Sequence, residues 1–352
     1  MILKSLRLTN FKNHSESLFE FSDRINCILG KNGIGKTNVL DAIYYLSFTK
    51  SAIGSPDRLA VTHDTPAFTL FGTYEKLKIA LQFEKGKTKT LKIDGQEPDK
   101  LSDVVGKVPL VLVLPDDTLM IREGSEERRK FFDGALSQFD SEYLQSLLKY
   151  NKLLKQRNSL LKQQEMGFNS KLLETYDDQL IPLAKIISAK RNDLKEVFLP
   201  YLQKNYTDLH EGGEVPELNF KSHVTEDFDQ KFKSNVQKDV VMQRTLLGSH
   251  KDDFEFLLDG ELIKRFGSQG QQKTFILALK LALYDFLTEK TDKKPLLLLD
   301  DIFDKLDDSR IQLLISLLLD SNRFQQIFIT DARKKRSKEL FKEEKEINFI
   351  EI

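Results

Sequence analysis

The stretch that decides the fold is Gly30-Lys31-Asn32-Gly33-Ile34-Gly35-Lys36-Thr37. A short apolar run, residues 25–29, precedes it, and apolar side chains recur at helical spacing from Val39 to Leu46 after it. The sequence therefore predicts a strand, a glycine-rich loop and a helix, in that order. In this context the pattern G-x-x-x-x-G-K-[ST] predicts a phosphate-binding loop. The alternative is a glycine-rich turn that binds nothing, and the flanking strand and helix argue against it.

The residue types of this loop suit a nucleoside triphosphate. Its glycines allow backbone N–H groups to surround phosphate oxygens, and the helix that follows directs its positive end toward them. We expect Lys36 to reach the β- and γ-phosphates of ATP and the hydroxyl of Thr37 to bind Mg²⁺. The predicted nucleotide contacts from this segment are Gly30, Lys31, Asn32, Gly33, Ile34, Gly35, Lys36, Thr37 and Asn38.

A second motif lies near the other end of the chain. Four leucines, residues 296–299, predict a strand that is buried on both faces, as in a parallel sheet, and Asp300 and Asp301 follow directly. We expect Asp300 to hold Mg²⁺ through water and Asp301 to orient or activate the attacking water. Asp301 and Lys36 are thus the predicted catalytic residues. Buried strands that end in two acids are common, so this motif gains its specificity from the phosphate loop.

A third motif, Ser268-Gln269-Gly270-Gln271, stands before a segment with apolar residues at helical spacing. Ser, Gly and Gln at the start of a helix can bind an anion through hydroxyl, backbone and dipole contributions. The motif resembles the signature of ABC-type ATPases, with Gln269 in place of the usual first glycine, and all four residues are predicted nucleotide contacts. As an isolated string it fits an ordinary helix cap equally well. Residues 304–307 resemble the D-loop that follows the signature in such ATPases.

The spacing of the motifs predicts the domain organisation. Lys36 and Asp300 are 264 residues apart, which is wide for a compact phosphate-loop enzyme, so the site is predicted to be assembled from both ends of the chain. From Ser125 to about Asp208, Gly and Pro are scarce, and Leu, Lys, Gln and Glu dominate. The predicted fold is α/β, an ABC/SMC-type ATPase head of residues 1–120 and 240–352 with an inserted, mainly helical arm of residues 121–239.

Composition excludes several classes of protein. The 352 residues include 54 Lys+Arg, 54 Asp+Glu and one Cys, which excludes a disulfide framework and a Cys-rich zinc site and fits a reducing compartment. Because the sequence has no run of 18 apolar residues and no signal peptide at its start, we expect a cytoplasmic protein with no membrane contact. The net charge of zero gives no global argument for nucleic acid. Basic runs at residues 85–92 and 149–162 are more typical of solvated faces than of DNA contacts.

From end to end the chain resembles the RecF family of bacterial recombination mediators. The matching segments are residues 8–13, 35–38, 150–158, 249–253 and 268–273. The Gln in the second place of the last segment separates this family from most transporter ATPases. Lys12 and Lys251 stand where the family more often has Arg, Ser249 where it has Pro, and Asp304 where it has Ser. The sequence shows no clear Q-loop glutamine or switch histidine, and residues 115–117 and 330–331 lie roughly where those would be.

The resemblance implies an ATP-gated DNA clamp. Two heads would meet head-to-tail as an ATP-dependent homodimer, each nucleotide lying between the phosphate loop and carboxylates of one copy and Ser268 of the other. The implied activity is a slow, DNA-stimulated ATPase used as a conformational switch. The implied partners are single-stranded DNA, gapped and double-stranded DNA, and RecR- and RecO-type mediator proteins. The implied processes are recombinational gap repair, replication restart and SOS induction.

Three alternatives remain open from the sequence. An SMC-like chromosome-organising head shares these motifs but needs coiled-coil arms far longer than the segment available. An ABC ATPase coupled to another partner, such as a transporter, usually carries Leu-Ser-Gly-Gly-Gln as its signature. A metabolic phosphate-loop kinase would act as a monomer and ignore DNA. Dimerisation that depends on ATP, measured with and without gapped duplex DNA, distinguishes these classes.

Overall fold

A computed structural model of the chain describes residues 1–162, 170–210, 212–305, 307–342, 344 and 346–352. The strands are β1 Leu3–Phe11, β2 His14–Glu20, β3 Ile25–Leu29, β4 Ala67–Tyr74, β5 Lys78–Glu84, β6 Thr90–Ile93, β7 Leu110–Val113, β8 Pro216–Lys221, β9 Asp253–Leu258, β10 Glu261–Leu262, β11 Leu296–Leu299, β12 Gln326–Asp331 and β13 Ile347–Glu351. The α-helices are α1 Lys36–Phe48, α2 Leu119–Arg122, α3 Ser125–Ser137, α4 Ser141–Lys162, α5 Ser170–Leu209, α6 Phe228–Ser234, α7 Val236–Val241, α8 Ile263–Phe266, α9 Gln269–Thr291, α10 Asp308–Leu318 and α11 Lys334–Leu340. No helix in these ranges is both long and apolar enough to span a bilayer.

The chain forms two compact units. Unit 1 comprises Met1–Asp117, Lys204–Glu211 and Lys273–Ile352, and unit 2 comprises Thr118–Gln203 and Gly212–Gln272. Unit 1 thus draws on both ends of the chain, as the wide separation of Lys36 and Asp300 requires.

Unit 1 contains a parallel sheet with the strand order β13-β3-β12-β11-β7. Every residue of β3, β11 and β12 is buried, which explains why β11 and residues 327–329 of β12 are continuous apolar runs rather than alternating patterns. The carboxyl ends of parallel strands lie at one edge of a sheet. The phosphate loop after β3 and the acids after β11 therefore share an edge, and β12 lies between them.

A second, antiparallel sheet in unit 1 has the order β2-β1-β4-β5-β6. Helix α1 contacts β4 of this sheet and β12 of the parallel sheet. One hydrophobic core joins residues of both sheets to α1, including Leu8, Ile43, Leu70, Leu298 and Phe328. The packing of α1 on two sheets explains why its buried positions are not confined to one stripe. Strand, glycine loop and helix are thus confirmed for this segment.

Unit 2 combines helices α2, α3, α4, α6, α7 and α8 and residues 170–203 of α5 with a three-stranded antiparallel sheet of order β10-β9-β8. Helix α3 packs on β9, with the rings of Phe132 and Phe254 stacked at a centroid distance of 3.9 Å. Residues 240–272, which the sequence assigns to the head, lie in this unit because β8 pairs with β9. The boundaries of the predicted helical arm, residues 121 and 239, stay a prediction. Unit 2 itself extends to Gln272.

Candidate nucleotide-binding site

The loop between β3 and α1 depends on left-handed backbone conformations. Gly33 has a φ of 80° and Gly35 a φ of 114°, a region that L side chains rarely adopt. A Cβ atom at Gly35 would lie 2.5 Å from the side-chain nitrogen of Asn13 and 2.8 Å from Nε2 of His14. A Cβ atom at Gly33 would meet open space. Conformation therefore requires glycine at both positions, and a side chain at position 35 would in addition displace the side chains of Asn13 and His14.

Two residues that the sequence reasoning missed support the loop from outside it. Asn13 donates its Nδ2 to the carbonyl of Ile34 at 2.6 Å and accepts a hydrogen bond from Asn38 at 2.6 Å. His14 places Nε2 3.3 Å from the carbonyl of Gly35. Because a carbonyl only accepts, Nε2 carries the proton. Burial lowers the pKa of His14, partly opposed by this hydrogen bond. Asn13 is the last residue of segment 8–13, which resembles the RecF family. This resemblance was the one signal in the sequence that pointed to Asn13.

Lys36 is the first residue of α1 and is 4% exposed. Its ammonium group donates to the carbonyls of Gly30 at 3.1 Å and Lys31 at 3.3 Å. The cation is thus held directly over the loop, where the backbone N–H groups would surround a phosphate. Burying an ammonium group against neutral carbonyls is unfavourable unless an anion also binds, so the arrangement favours a phosphate ligand.

Thr37 and Asp300 contact each other despite their distance in sequence. The Thr37 hydroxyl lies 3.0 Å and 2.9 Å from the two carboxylate oxygens of Asp300. Thr330, at the end of β12, donates its hydroxyl to the same carboxylate at 2.7 Å. Burial raises the pKa of Asp300, and the hydrogen bonds from Thr330 and Thr37 and the charge of Lys36 oppose that rise. The neighbouring strand β12 therefore contributes directly to this carboxylate.

The donor set at Thr37 and Asp300 fits a magnesium ion that is bound together with a nucleotide. Mg²⁺ is usually held by one or two carboxylates together with substrate phosphates and waters. Asp300 is 3% exposed, and its oxygens contact two hydroxyl groups. No group of three or more His, Cys, Asp or Glu residues suited to a metal occurs in the part of the chain that the structure describes. The remaining ligands would therefore come from phosphate and water.

Asp301 follows Asp300 in a left-handed conformation, with a φ of 41°. Its backbone N–H donates to the Thr330 hydroxyl at 2.9 Å. Thr330 therefore donates to one acid and accepts from the next, which fixes both at the sheet edge. From the sequence, Thr330 was identified only as lying roughly where the switch histidine of such ATPases would be.

Other polar residues near this edge have structural partners. Lys12 lies 2.7 Å from the buried carboxylate of Asp41 on α1, so this cation is paired within the protein. Asp117 pairs with Lys280 at 2.8 Å. Asp331 accepts from Arg336 at 2.6 Å. The two acids near the expected Q-loop and switch positions are therefore engaged in ion pairs.

The signature segment lies in unit 2. The backbone N–H of Ser268 donates to the side chain of Gln271 at 2.6 Å, and the N–H of Gln271 donates to the Ser268 hydroxyl at 3.2 Å. This reciprocal pair is a capping box at the start of α9. Ser268 and Gln269 are exposed, and Gly270 is partly exposed. Of the predicted site residues, the structure brings together Lys36, Thr37, Asp300 and Asp301 in unit 1. Of the predicted D-loop, Leu306 and the side chains of residues 304–305 lie outside the described residues.

Comparison with known proteins identifies the family. The family model described as RecF/RecN/SMC N terminal domain matches residues 2–349. A DNA replication and repair protein RecF of Cytophaga hutchinsonii is 43% identical over 348 residues, which are 97% of this chain and 92% of the relative. The chain belongs to the RecF family. A second RecF relative, of Flavobacterium johnsoniae, is 42% identical over 349 residues, 97% of each chain.

Solved structures agree with this assignment. A recombination mediator protein RecF, described with ATP in the RecFOR pathway, is 32% identical with a TM-score of 0.86, covering 95% of this chain and 92% of the other. A RecF described with ATPrS has the same identity and TM-score over 94% and 92%. An SMC head bound to the C-winged helix domain of ScpA is 16% identical with a TM-score of 0.55, covering 95% and 90%, and shows the fold alone. The predicted α/β, ABC/SMC-type head is therefore confirmed.

Proposed function

We propose that this RecF-family chain binds ATP and Mg²⁺ at the phosphate loop and uses them to control a homodimer that holds DNA. The observation that carries the proposal is the contact of Thr37 with Asp300, which joins the loop to the acidic strand end at 2.9 Å. A loop that binds phosphate alone needs no side chains from other parts of the chain. A loop joined to a buried carboxylate through a hydroxyl is suited to a phosphate-bound cation as well.

The residues of unit 1 would act in distinct ways. Lys36 would exchange its carbonyl acceptors for the β- and γ-phosphates, while the start of α1 contributes backbone N–H groups and a positive dipole. Thr37 and Asp300 would hold Mg²⁺, which when bound neutralises charge on the phosphates. Asp301 would orient the attacking water, its backbone held by Thr330. Catalysis here is chiefly positioning and electrostatic stabilisation, which suits a slow ATPase used as a switch.

Ser268 would act on the nucleotide of a second copy. It stands exposed at the N-terminus of the 23-residue helix α9, and the capping box with Gln271 fixes the hydroxyl and the backbone N–H groups around it. Such a terminus offers donors and a positive dipole to an anion. Gln269, Gly270 and Gln271 would contribute to the same contact. Dimerisation would then depend on ATP occupancy.

The relatives support the biological setting. RecF relatives are described as DNA replication and repair proteins, and the solved RecF is described as a recombination mediator of the RecFOR pathway. By extension, this chain would recognise single-stranded or gapped DNA and act with RecO- and RecR-type proteins. Its roles would be recombinational gap repair, replication restart and SOS induction.

Sedimentation velocity tests this proposal. The purified protein is measured with ATP and Mg²⁺, with and without a gapped duplex, and ATP-dependent dimers that bind DNA are expected. Lys36→Ala and Ser268→Arg should both remain monomeric, whereas Ser321→Arg, which adds the same group at another exposed serine, should dimerise. A wild-type protein that binds ATP but stays monomeric and shows no DNA affinity would refute the clamp.

Asp301→Asn tests the catalytic assignment separately. The amide keeps the shape of the side chain but removes its charge, so hydrolysis should slow and the ATP dimer should persist longer than that of the wild type. If the dimers of the variant and the wild type dissociate at the same rate after ATP is removed, Asp301 does not orient the water.

A further inference from the structure

A loop of unit 2 holds Lys251 in a fixed position. Lys251 ends a short 3₁₀ helix, Ser249–Lys251, which follows Gly248 at a φ of 126°. The buried Arg191 donates to the carbonyl of Ser249 at 2.6 Å and to the carboxylate of Asp252 at 3.0 Å. One guanidinium group therefore holds Ser249 and Asp252, and the half-buried Lys251 lies between these two residues.

Arg129 of α3 lies beside this lysine. Its guanidinium group donates to the carbonyl of Asp252 at 2.6 Å and to the hydroxyl of Ser125 at 2.5 Å. Asp252 directly follows Lys251 in the chain. The two cations are thus brought together by a backbone contact, and no carboxylate lies in that contact.

Arg244 approaches from a second loop. The next residue, Thr245, accepts from the fully buried Arg157 at 2.8 Å and accepts at its carbonyl from Nε2 of His250 at 3.1 Å. Arg157 is itself held by Asp177 at 2.6 Å and Asp239 at 2.7 Å. A buried ion-pair network therefore fixes the loop that carries Arg244, and the contact with His250 places that loop beside Lys251.

The carboxylates around these three cations already have other partners. Asp133 and Asp252 pair with Arg191 at 2.9 Å and 3.0 Å, and Asp253 pairs with Arg128 at 2.8 Å. Burial lowers the pKa of Lys251, and the charges of Arg244 and Arg129 lower it further. Within the described ranges, neither Arg244 nor Lys251 forms an ion pair.

Lysines elsewhere on the surface differ from this cluster. Lys87 pairs with Glu84 at 2.9 Å, and Lys89 pairs with Asp57 at 2.7 Å, so part of the basic run at residues 85–92 is neutralised within the protein. Partly buried positive charge that the protein does not neutralise is stabilised by an anion.

We propose that Arg129, Arg244 and Lys251, here named the unit 2 cation cluster, bind the phosphodiester backbone of DNA. The inference rests on the proposed function, since it adds a DNA contact to the clamp. A polyanion fits the cluster because its members come from three separate segments and Arg244 is exposed. Phosphate contacts of this kind hold DNA without regard to base sequence and weaken with salt.

The test replaces Arg244 and Lys251 by Gln, singly and together. Lys130→Gln is the matched control, because Lys130 is next to Arg129 on α3 but pairs with Glu127 at 2.8 Å and Glu126 at 3.0 Å. Lys251→Arg keeps the charge and should keep the affinity. Arg129 is left in place because it also holds the backbone of Asp252.

Fluorescence anisotropy with a labelled gapped duplex and ATP, at several salt concentrations, gives the readout. The double variant should bind about 10- to 100-fold more weakly, and the slope of log affinity against log salt should fall by about 0.9 for each duplex phosphate that the variant no longer neutralises. ATP-dependent dimerisation should be unchanged in all variants.

Two results separate the failure of this site from the failure of the clamp. If the wild type binds DNA with ATP and the double variant binds with the same affinity and salt slope, the cation cluster does not contact DNA. If the wild type binds no DNA under any condition, both the clamp and this site are refuted. If circular dichroism shows that the double variant folds poorly, the single variant Arg244→Gln, at an exposed position, decides the question through the same affinity and salt-slope measurements.

Discussion

Replacing Thr330 by Val tests how the sheet edge holds its two acids. Valine has nearly the shape of threonine and a β-branched side chain suited to β12, so packing should change little. The hydroxyl, however, makes two buried hydrogen bonds, one to the carboxylate of Asp300 at 2.7 Å and one from the N–H of Asp301 at 2.9 Å. Valine can make neither of these hydrogen bonds, and its side chain offers no other partner to either group.

The size of the effect follows from these two hydrogen bonds. A hydrogen bond to a charged group contributes about 1.5–3 kcal/mol, and a buried group left without its partner costs about 1–3 kcal/mol. Because relaxation recovers part of the second contribution, we expect the free energy of unfolding to fall by about 3 kcal/mol. Hydrolysis should also slow by roughly 10-fold or more, since a misplaced Asp301 needs to raise the barrier by only about 1.4 kcal/mol.

Urea denaturation followed by circular dichroism measures the stability, since the chain has no Trp. Single-turnover ATP hydrolysis and ATP affinity are measured on the same samples. The affinity should change less than the rate, because in the proposed site Lys36 and the loop would hold the phosphates. Thr330→Ser is the control, since serine keeps the hydroxyl and should retain both stability and hydrolysis.

Two outcomes would contradict this reasoning. If Thr330→Val and Thr330→Ser unfold at the same urea concentration, the hydroxyl does not support the acids energetically. If the valine variant loses ATP affinity as much as it loses hydrolysis, Thr330 acts on the loop as a whole rather than on Asp301.

Three further predictions follow from the loop and from unit 2. Gly35→Ala should abolish ATP binding, because a φ of 114° strains any L side chain and the new Cβ would displace the side chains of Asn13 and His14. Gly33→Ala should weaken ATP binding only modestly, with about 1–2 kcal/mol of backbone strain and no clash, as isothermal titration would show. Asn13→Ala should reduce ATP affinity by about 10-fold. Asn13→Asp should lose less affinity, because only aspartate can still accept the hydrogen bond from Asn38. Equal ATP affinities in the two variants would argue against that contact. Burial lowers the pKa of His250 from 6.5 to about 4, so the unfolded chain binds the proton first. Stability is unaffected above about pH 6.5 and should fall by about 3 kcal/mol as the pH drops to about 4. In His250→Gln this part of the pH dependence of urea denaturation should disappear, and an unchanged pH profile would show that His250 is not the group responsible.

The net charge of zero takes on a different meaning in the light of these sites. It gave no global reason to expect a nucleic-acid partner. Asp300 and Asp301 belong to the proposed nucleotide site, and Asp177 and Asp239 neutralise a buried arginine. The overall balance therefore coexists with a local excess of cations at Arg129, Arg244 and Lys251. We expect DNA binding that depends on the ATP state rather than binding that is permanent.

The sequence by itself determined the local elements of the proposed nucleotide site. A glycine-rich loop between an apolar run and a helical pattern has few alternative structures, because Gly33 and Gly35 occupy conformations open to little else. The leucines of residues 296–299 predicted a strand buried on both faces, and all four are buried. The resemblance to the RecF family, carried by short motifs, agreed with relatives matched over nearly the whole chain.

Only the tertiary structure decided which residues meet. That β12 lies between β3 and β11 is not encoded in any local pattern, since periodicity describes the faces of a strand but not its neighbours. The role of Thr330 could therefore be recognised only from the tertiary structure. The same holds for the support of the loop by Asn13 and His14. The cluster of Arg129, Arg244 and Lys251 has the same origin. Its members come from three segments, each an ordinary basic residue in the sequence, and buried ion pairs hold those segments together.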